Sequence, residues 1–131
     1  LESNTAPWRS RARDMETIPV VIYTQPEIAW VGPSESKIRG KLHNIGSRVI
    51  HFSNEMRNPG NTSNTAAVKV VFAKDDQKSV LSVSIISPAA GDLIGESVLA
   101  VKLGAPLGLW GNVPHAHPFY KSLNTMLELK I

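Results

Sequence analysis

Cysteine is absent from this 131-residue chain. That excludes disulphides, a thiolate nucleophile and thiolate-bound metal, and it leaves the redox compartment undecided. Also missing is any apolar run near the ~18 residues that a membrane-crossing helix needs. There is no internal repeat and no initiating methionine. The chain therefore reads as a fragment, a processed chain or an artificial segment. Hydrophobic residues make up 42% of it, enough at this length for one domain with its own core.

Net charge is only +3, a weak pull toward anionic partners. The stretch "APWRSRARDMET" is basic through Arg9, Arg11 and Arg13. Glu2, Asp14 and Glu16 dilute that charge, which favours a solvated tail over a nucleic-acid arm. The same acids argue against an organelle transit remnant. Residues 1–17 lack periodicity and read as an irregular N-terminal segment. The folded domain is expected over 18–131.

"IPVVIYT" is β-branched and aromatic, so Val20 to Thr24 suits a strand that Pro26 interrupts and "IAWVG" resumes. Ser34 is placed to cap a short helix, "ESKIRGKL". "SRVIHF" alternates, with Val49 and His51 facing one way and Arg48, Ile50 and Phe52 the other. "SNEMRNPGNTSNT" reads as a loop. Its Asn61 opens an N-T-S sequon, taken as chance without a secretion signal. "AAVKVVFA" and "SVLSVSII" flank "KDDQK" and predict an antiparallel hairpin with one buried face. In it Val68, Val70 and Phe72 match Leu81, Val83 and Ile85.

The period then changes. Ser87 as cap and Pro88 in the first turn predict a helix ending at Gly104. Leu93, Ile94, Val98 and Val101 lie on one of its faces, and Leu99 and Leu103 widen the apolar surface. A helix apolar over so much of its girth packs on two sides, here the sheet and a second subunit. "APLGLWGNVPHAHP" reads as a loop. Pro118 then opens a last helix with Phe119, Leu123, Met126 and Leu127 on one face. The expected fold is α+β, an antiparallel β-sheet with helices packed on one side.

Chemistry concentrates in "PHAHPFYKSL". On its own, His117 is an ordinary candidate for an acid/base and an equally ordinary surface residue. A metal site at His115 and His117 is the weaker reading, because His43, His51 and the acids supply no matching ligand spacing.

Three segments in order, "IPVVIYTQPEIAWVG", "LSVSIISPAAGDLIGESVLAVKLGA" and "HAHP", resemble the C-terminal dimerisation domain of the flavin-dependent pyridine nucleotide–disulphide oxidoreductases. The "HAHP" spacing favours the dihydrolipoamide dehydrogenase branch. The resemblance runs from about Ile18 to Ile131. It implies that upstream domains of a parent enzyme, an NAD-dependent dihydrolipoyl dehydrogenase, bind FAD and NAD and carry a redox-active cysteine pair. It also implies that this domain holds a homodimer together. By motif position His117 would enter the partner's active site as acid/base, His115 would have a structural role, and Pro118 would follow a cis bond. Only a thiolate attacks a disulphide, and imidazole titrates in the range where removing a thiol proton is useful.

The chain departs from this pattern. Ser122 stands where a glutamate should orient and charge-stabilise the His117 ring, which would leave the imidazole less basic. Ser82 and Ser87 replace glycines, and Phe119 and Tyr120 replace smaller polar residues. Residues 1–17 do not look like the end of an FAD domain. Two functions stand from the sequence: an interface domain presenting His117, or a degenerate, non-catalytic interaction module within a larger assembly. Neither turns over alone, since the chain lacks a cysteine pair and a dinucleotide fold. No cofactor is assigned to the chain itself, although Gln25 and Pro26 lie where a neighbouring flavin could be touched. Tyr23 and Glu27 read as fixing strand geometry. The compartment implied is the mitochondrial matrix or the cytoplasm, with no membrane partner.

Overall fold

In a computed structural model, described for residues 15–53, 65–75 and 77–114, the β-branched runs form one five-stranded sheet. The strands are β1 Val20–Ile22, β2 Glu27–Val31, β3 Ile45–Ser53, β4 Thr65–Ala73 and β5 Val80–Ser87. Their spatial order is β1-β2-β5-β4-β3, and every pairing is antiparallel. The helices are α1 Glu35–Lys41, α2 Ala90–Leu103 and a short α3 Leu107–Gly111. The architecture is the α+β one the pattern implies, with the helices shared between the two faces rather than gathered on one: α2 and α3 cover one face and α1 the other.

Alternation along the central strands sends Ala29, Val31, Val68, Val70, Val83 and Ile85 to one face, all at most 1% exposed. Ala90, Leu93, Ile94 and Ala100 of α2 close over that face, and Leu107 and Trp110 of α3 join them. Burial of this apolar surface is the main stabilising term. Gly46 on β3 is required by its neighbour: a Cβ there would lie 2.5 Å from Phe72 Cζ.

On the other face, Ile38 of α1 packs with Ile45, Val71 and Leu81 in a smaller cluster. Leu81 departs from the expected alternation with Val83 and Ile85. The β4–β5 register shifts between Val71 and Phe72, so Val71 faces Ser82 while Phe72 faces Val80. The extra residue at this bulge, Leu81, turns to the α1 side.

The helix ends follow their local chemistry, with one exception. Ser34 accepts the Lys37 N–H at 3.4 Å, as a helix N-cap should. Gly104 takes a left-handed conformation at φ 59° and closes α2. Ser87, expected to cap α2, does not. It ends β5 opposite Glu27, and its Oγ accepts the Ala89 N–H across a turn, so α2 begins at Ala90 and Pro88 stays outside it. "APLGLWG" is not all loop. Leu107 and Trp110, three apart, bury one face of α3. A 3-10 turn at Met15–Thr17 stands ahead of Ile18, and its Glu16 carbonyl accepts the Gly32 N–H at 3.0 Å. Of the loop expected at 53–65, Ser53 ends β3 and Thr65 opens β4; its remaining residues and the last helix lie outside the described residues.

Candidate self-association surface

Helix α2 has two apolar sides. Leu93 and Ile94 are buried against the sheet, whereas Leu99 and Leu103, one turn apart, are 60% and 63% exposed. A second apolar surface lies on the outer sheet face, where Val20, Ile22, Ile28 and Ile86 are 37–44% exposed and Val49 of β3 is 56% exposed. The alternation within β1, β2 and β5 aligns the first four, with half-buried Trp30 among them. Exposed apolar surface of this extent marks a place for a partner.

The segment after α2 is tied to the start of β5. Val80 N–H donates to Ala105 O at 3.0 Å, and Leu107 N–H donates to Lys78 O at 3.1 Å. Trp110, 3% exposed, anchors α3 in the core. The chain is thus fixed four residues before Pro114, from which the histidine segment continues. His115, His117, Pro118 and Ser122 themselves lie outside the described residues, as do Phe119 and Tyr120. His43 and His51 are both exposed, on either side of β3's central residues. Among the described residues no three His, Asp or Glu side chains come together as a metal site.

The β1–β2 turn carries Tyr23, Gln25 and Pro26, all exposed, with a cis Gln25–Pro26 bond. Thr24 Oγ1 donates to Pro26 O at 2.7 Å within it. Glu27 does more than hold a strand. Its Oε2 accepts the Gly91 N–H at 2.9 Å in the first turn of α2. The serines found where glycine was expected are both buried and bonded: Ser82 Oγ donates to Val31 O at 3.1 Å, and Ser87 accepts from Ala89.

Charge gathers on α1. Glu35 Oε2 meets Lys69 Nζ at 2.7 Å, and its Oε1 accepts from Arg39 Nη2 at 2.5 Å and from Ser47 Oγ at 3.1 Å. The Lys69 and Arg39 bonds hold its pKa down, from 4.5 to about 2. Glu16 is lowered by its hydrogen bond to Lys37, and Asp75 by backbone and side-chain bonds from Ser79. These groups pin α1, the N-terminal turn and the β4–β5 loop in place. The sequence pattern alone does not single out Glu35 or Trp110. The three-residue spacing of Leu107 and Trp110 was a usable sign of α3, whereas the Glu35 cluster joins segments with no local pattern.

Residues 18–127 match the pyridine nucleotide-disulphide oxidoreductase dimerisation domain. The chain belongs to that family. It is 37% identical over 107 residues to pig (Sus scrofa) mitochondrial dihydrolipoyl dehydrogenase, covering 80% of this chain and 20% of that protein. With the enzyme of the same name from Schizosaccharomyces pombe it is 41% identical over 103 residues, covering 77% and 20%. The human counterpart gives 36% over 107 residues, covering 80% and 20%. The chain thus spans about a fifth of the length of the curated relatives it matches. It is the dimerisation domain of a dihydrolipoamide dehydrogenase-like protein, and self-association follows from that membership. No helix among the described residues is long and apolar enough to cross a membrane.

Proposed function

We propose that this domain pairs two subunits of a dihydrolipoyl dehydrogenase-like flavoprotein and presents His117 to the redox disulphide of the partner subunit. The observation that carries the pairing is the exposed Leu99–Leu103 side of α2, an apolar surface left over after the sheet is covered. The histidine role rests on "HAHP" in its family position, supported by the buried Trp110 that fixes the chain leading to it. His117 would take a proton from a dihydrolipoamide thiol, so that the thiolate can attack, and return it when the thiol re-forms. FAD and NAD would carry the electrons in the remainder of the parent. This sequence has no Gly-x-Gly-x-x-Gly turn and no cysteine to bind or couple to them, so no step is assigned to them here. The relatives' names favour the mitochondrial matrix as compartment.

In the intact parent, His117→Gln should lower lipoamide-dependent turnover by about a hundredfold with flavin absorbance unchanged. An unchanged rate would remove the catalytic role. Sedimentation of the chain at micromolar concentration should give twice the monomer mass. Ser122 favours a second reading, in which the domain pairs subunits without proton transfer. Restoring the carboxylate with Ser122→Glu separates the two, since only a working shuttle gains turnover from it.

A further inference from the structure

Lys78, in the turn between β4 and β5, has φ 52° and is the one non-glycine with a positive φ among the described residues. A lysine keeps that left-handed backbone only where its surroundings hold it. Asp75 supplies the hold. Its Oδ1 accepts the Ser79 N–H and its Oδ2 the Ser79 hydroxyl, both at 3.1 Å. Its carbonyl accepts the Lys78 N–H at 3.2 Å. The Lys78 carbonyl in turn accepts the Leu107 N–H at 3.1 Å, and Ser79 bridges to Pro106. The bonds continue along α3, with Trp110 N–H donating to Pro106 O at 3.0 Å and Val113 N–H to Trp110 O at 3.2 Å. A hydrogen-bonded strut therefore runs from Asp75 to Val113, four residues before His117.

We propose that Asp75 is a positioning residue for His117: by holding Lys78 left-handed it fixes the start of α3, and so the direction in which the histidine segment leaves the domain. The inference rests on the acid/base role proposed for His117. Asp75 touches no reacting atom and acts through the backbone. Without its carboxylate, Lys78 relaxes to negative φ, the Lys78 carbonyl swings away and the Leu107 N–H loses its acceptor. A base displaced by about an ångström transfers protons poorly although substrate and cofactors still bind, so the loss falls on kcat.

The test uses the intact parent. Asp75→Ala should lower kcat about tenfold, with the KM for NAD and the flavin absorbance unchanged. In a His117→Gln background the same change should cost no more than about twofold, because the group it positions is gone. Lys78→Gly takes the left-handed backbone without strain and should restore most of the kcat lost in Asp75→Ala. Ser34→Ala removes the α1 cap, controls for general destabilisation and should leave kcat as it is. If Asp75→Ala does not fold, Ser79→Ala replaces it, since it removes only the hydroxyl bond to Asp75 and should give a smaller loss of the same kind. Wild-type kcat in the Asp75 or Ser79 variant, beside a slow His117→Gln, overturns the positioning role alone. Equal losses with and without His117, or the same loss in Ser34→Ala, overturn it as well. A His117→Gln enzyme at full rate overturns the proposed function and this inference with it.

Discussion

The Glu27 carboxylate on β2 accepts the backbone N–H of Gly91 in the first turn of α2, at 2.9 Å. The α2 N-cap is Ala89, which has no side-chain oxygen and makes no capping bond. A carboxylate from a distant strand supplies what the local residue cannot, and its charge meets the positive end of the helix. Gly91 suits that approach, since a Cβ there would lie 3.3 Å from the same oxygen. One contact thus orients the long helix on the sheet.

Glu27→Ala should therefore lower unfolding stability by about 1–2 kcal/mol, the usual loss for a helix cap with a charged partner. Glu27→Gln keeps an acceptor and should lose less. Urea unfolding followed by circular dichroism measures both. An unshifted midpoint in the alanine variant would mean that the bond contributes nothing to stability.

That contact also marks the limit of what could be read without coordinates. Glu27 and Gly91 belong to separate elements, so no local pattern pairs them. Features set by near neighbours were legible: the β4–β5 hairpin from its period, the Ser34 cap and the Gly104 stop. At Ser87 two local options compete, helix cap and strand end, and the ladder opposite Glu27 claims it for β5. Leu81 departs from its apparent face because a bulge leaves no trace in alternation. The glycines and prolines around α3 hid a helical turn that burial of Leu107 and Trp110 sustains. At the candidate site, the apolar excess of α2 was visible as Leu99 and Leu103, whereas the exposed outer sheet face was not anticipated.

Acid should weaken the domain through α1. Glu35 titrates at about 2 when folded, against an ordinary 4.5. Its folded pKa is depressed, so its contribution is present in full above 4.5 and is lost as pH falls through about 2. Glu16 and Asp75 are lowered as well and act in the same direction. Thermal midpoints measured across that window should fall with pH, and Glu35→Gln should flatten the slope. Because the cluster is partly in water, added salt should shrink the difference. A Glu35→Gln profile parallel to wild type would show that these ion pairs carry no folding energy.

Gly32 joins β2 to α1 at φ +88°, and a Cβ there would meet Leu81 O at 2.5 Å. Its N–H is also held by Glu16 O at 3.0 Å, so the backbone has little freedom to move away. Gly32→Ala combines left-handed strain with a clash against backbone, and about 2 kcal/mol or more of stability should be lost. Gly40→Ala is the control, because nothing lies within 4 Å of a Cβ there and the helix interior favours alanine. Equal midpoints for the two variants would contradict this account.

The exposed side of α2 and the outer sheet face make competing claims to the subunit contact. Leu99 is 60% exposed and Val49 is 56% exposed, so a charge at either leaves the isolated fold largely undisturbed. At a buried interface the same charge would stand unpaired and desolvated, which opposes association strongly. Leu99→Glu should therefore sediment as a monomer at concentrations where Val49→Glu still pairs. Its circular dichroism should stay native, and its melting temperature should lose any dependence on protein concentration. The reverse result, with Val49→Glu monomeric and Leu99→Glu paired, would move the interface to the sheet. The Leu99–Leu103 stripe would then need another partner.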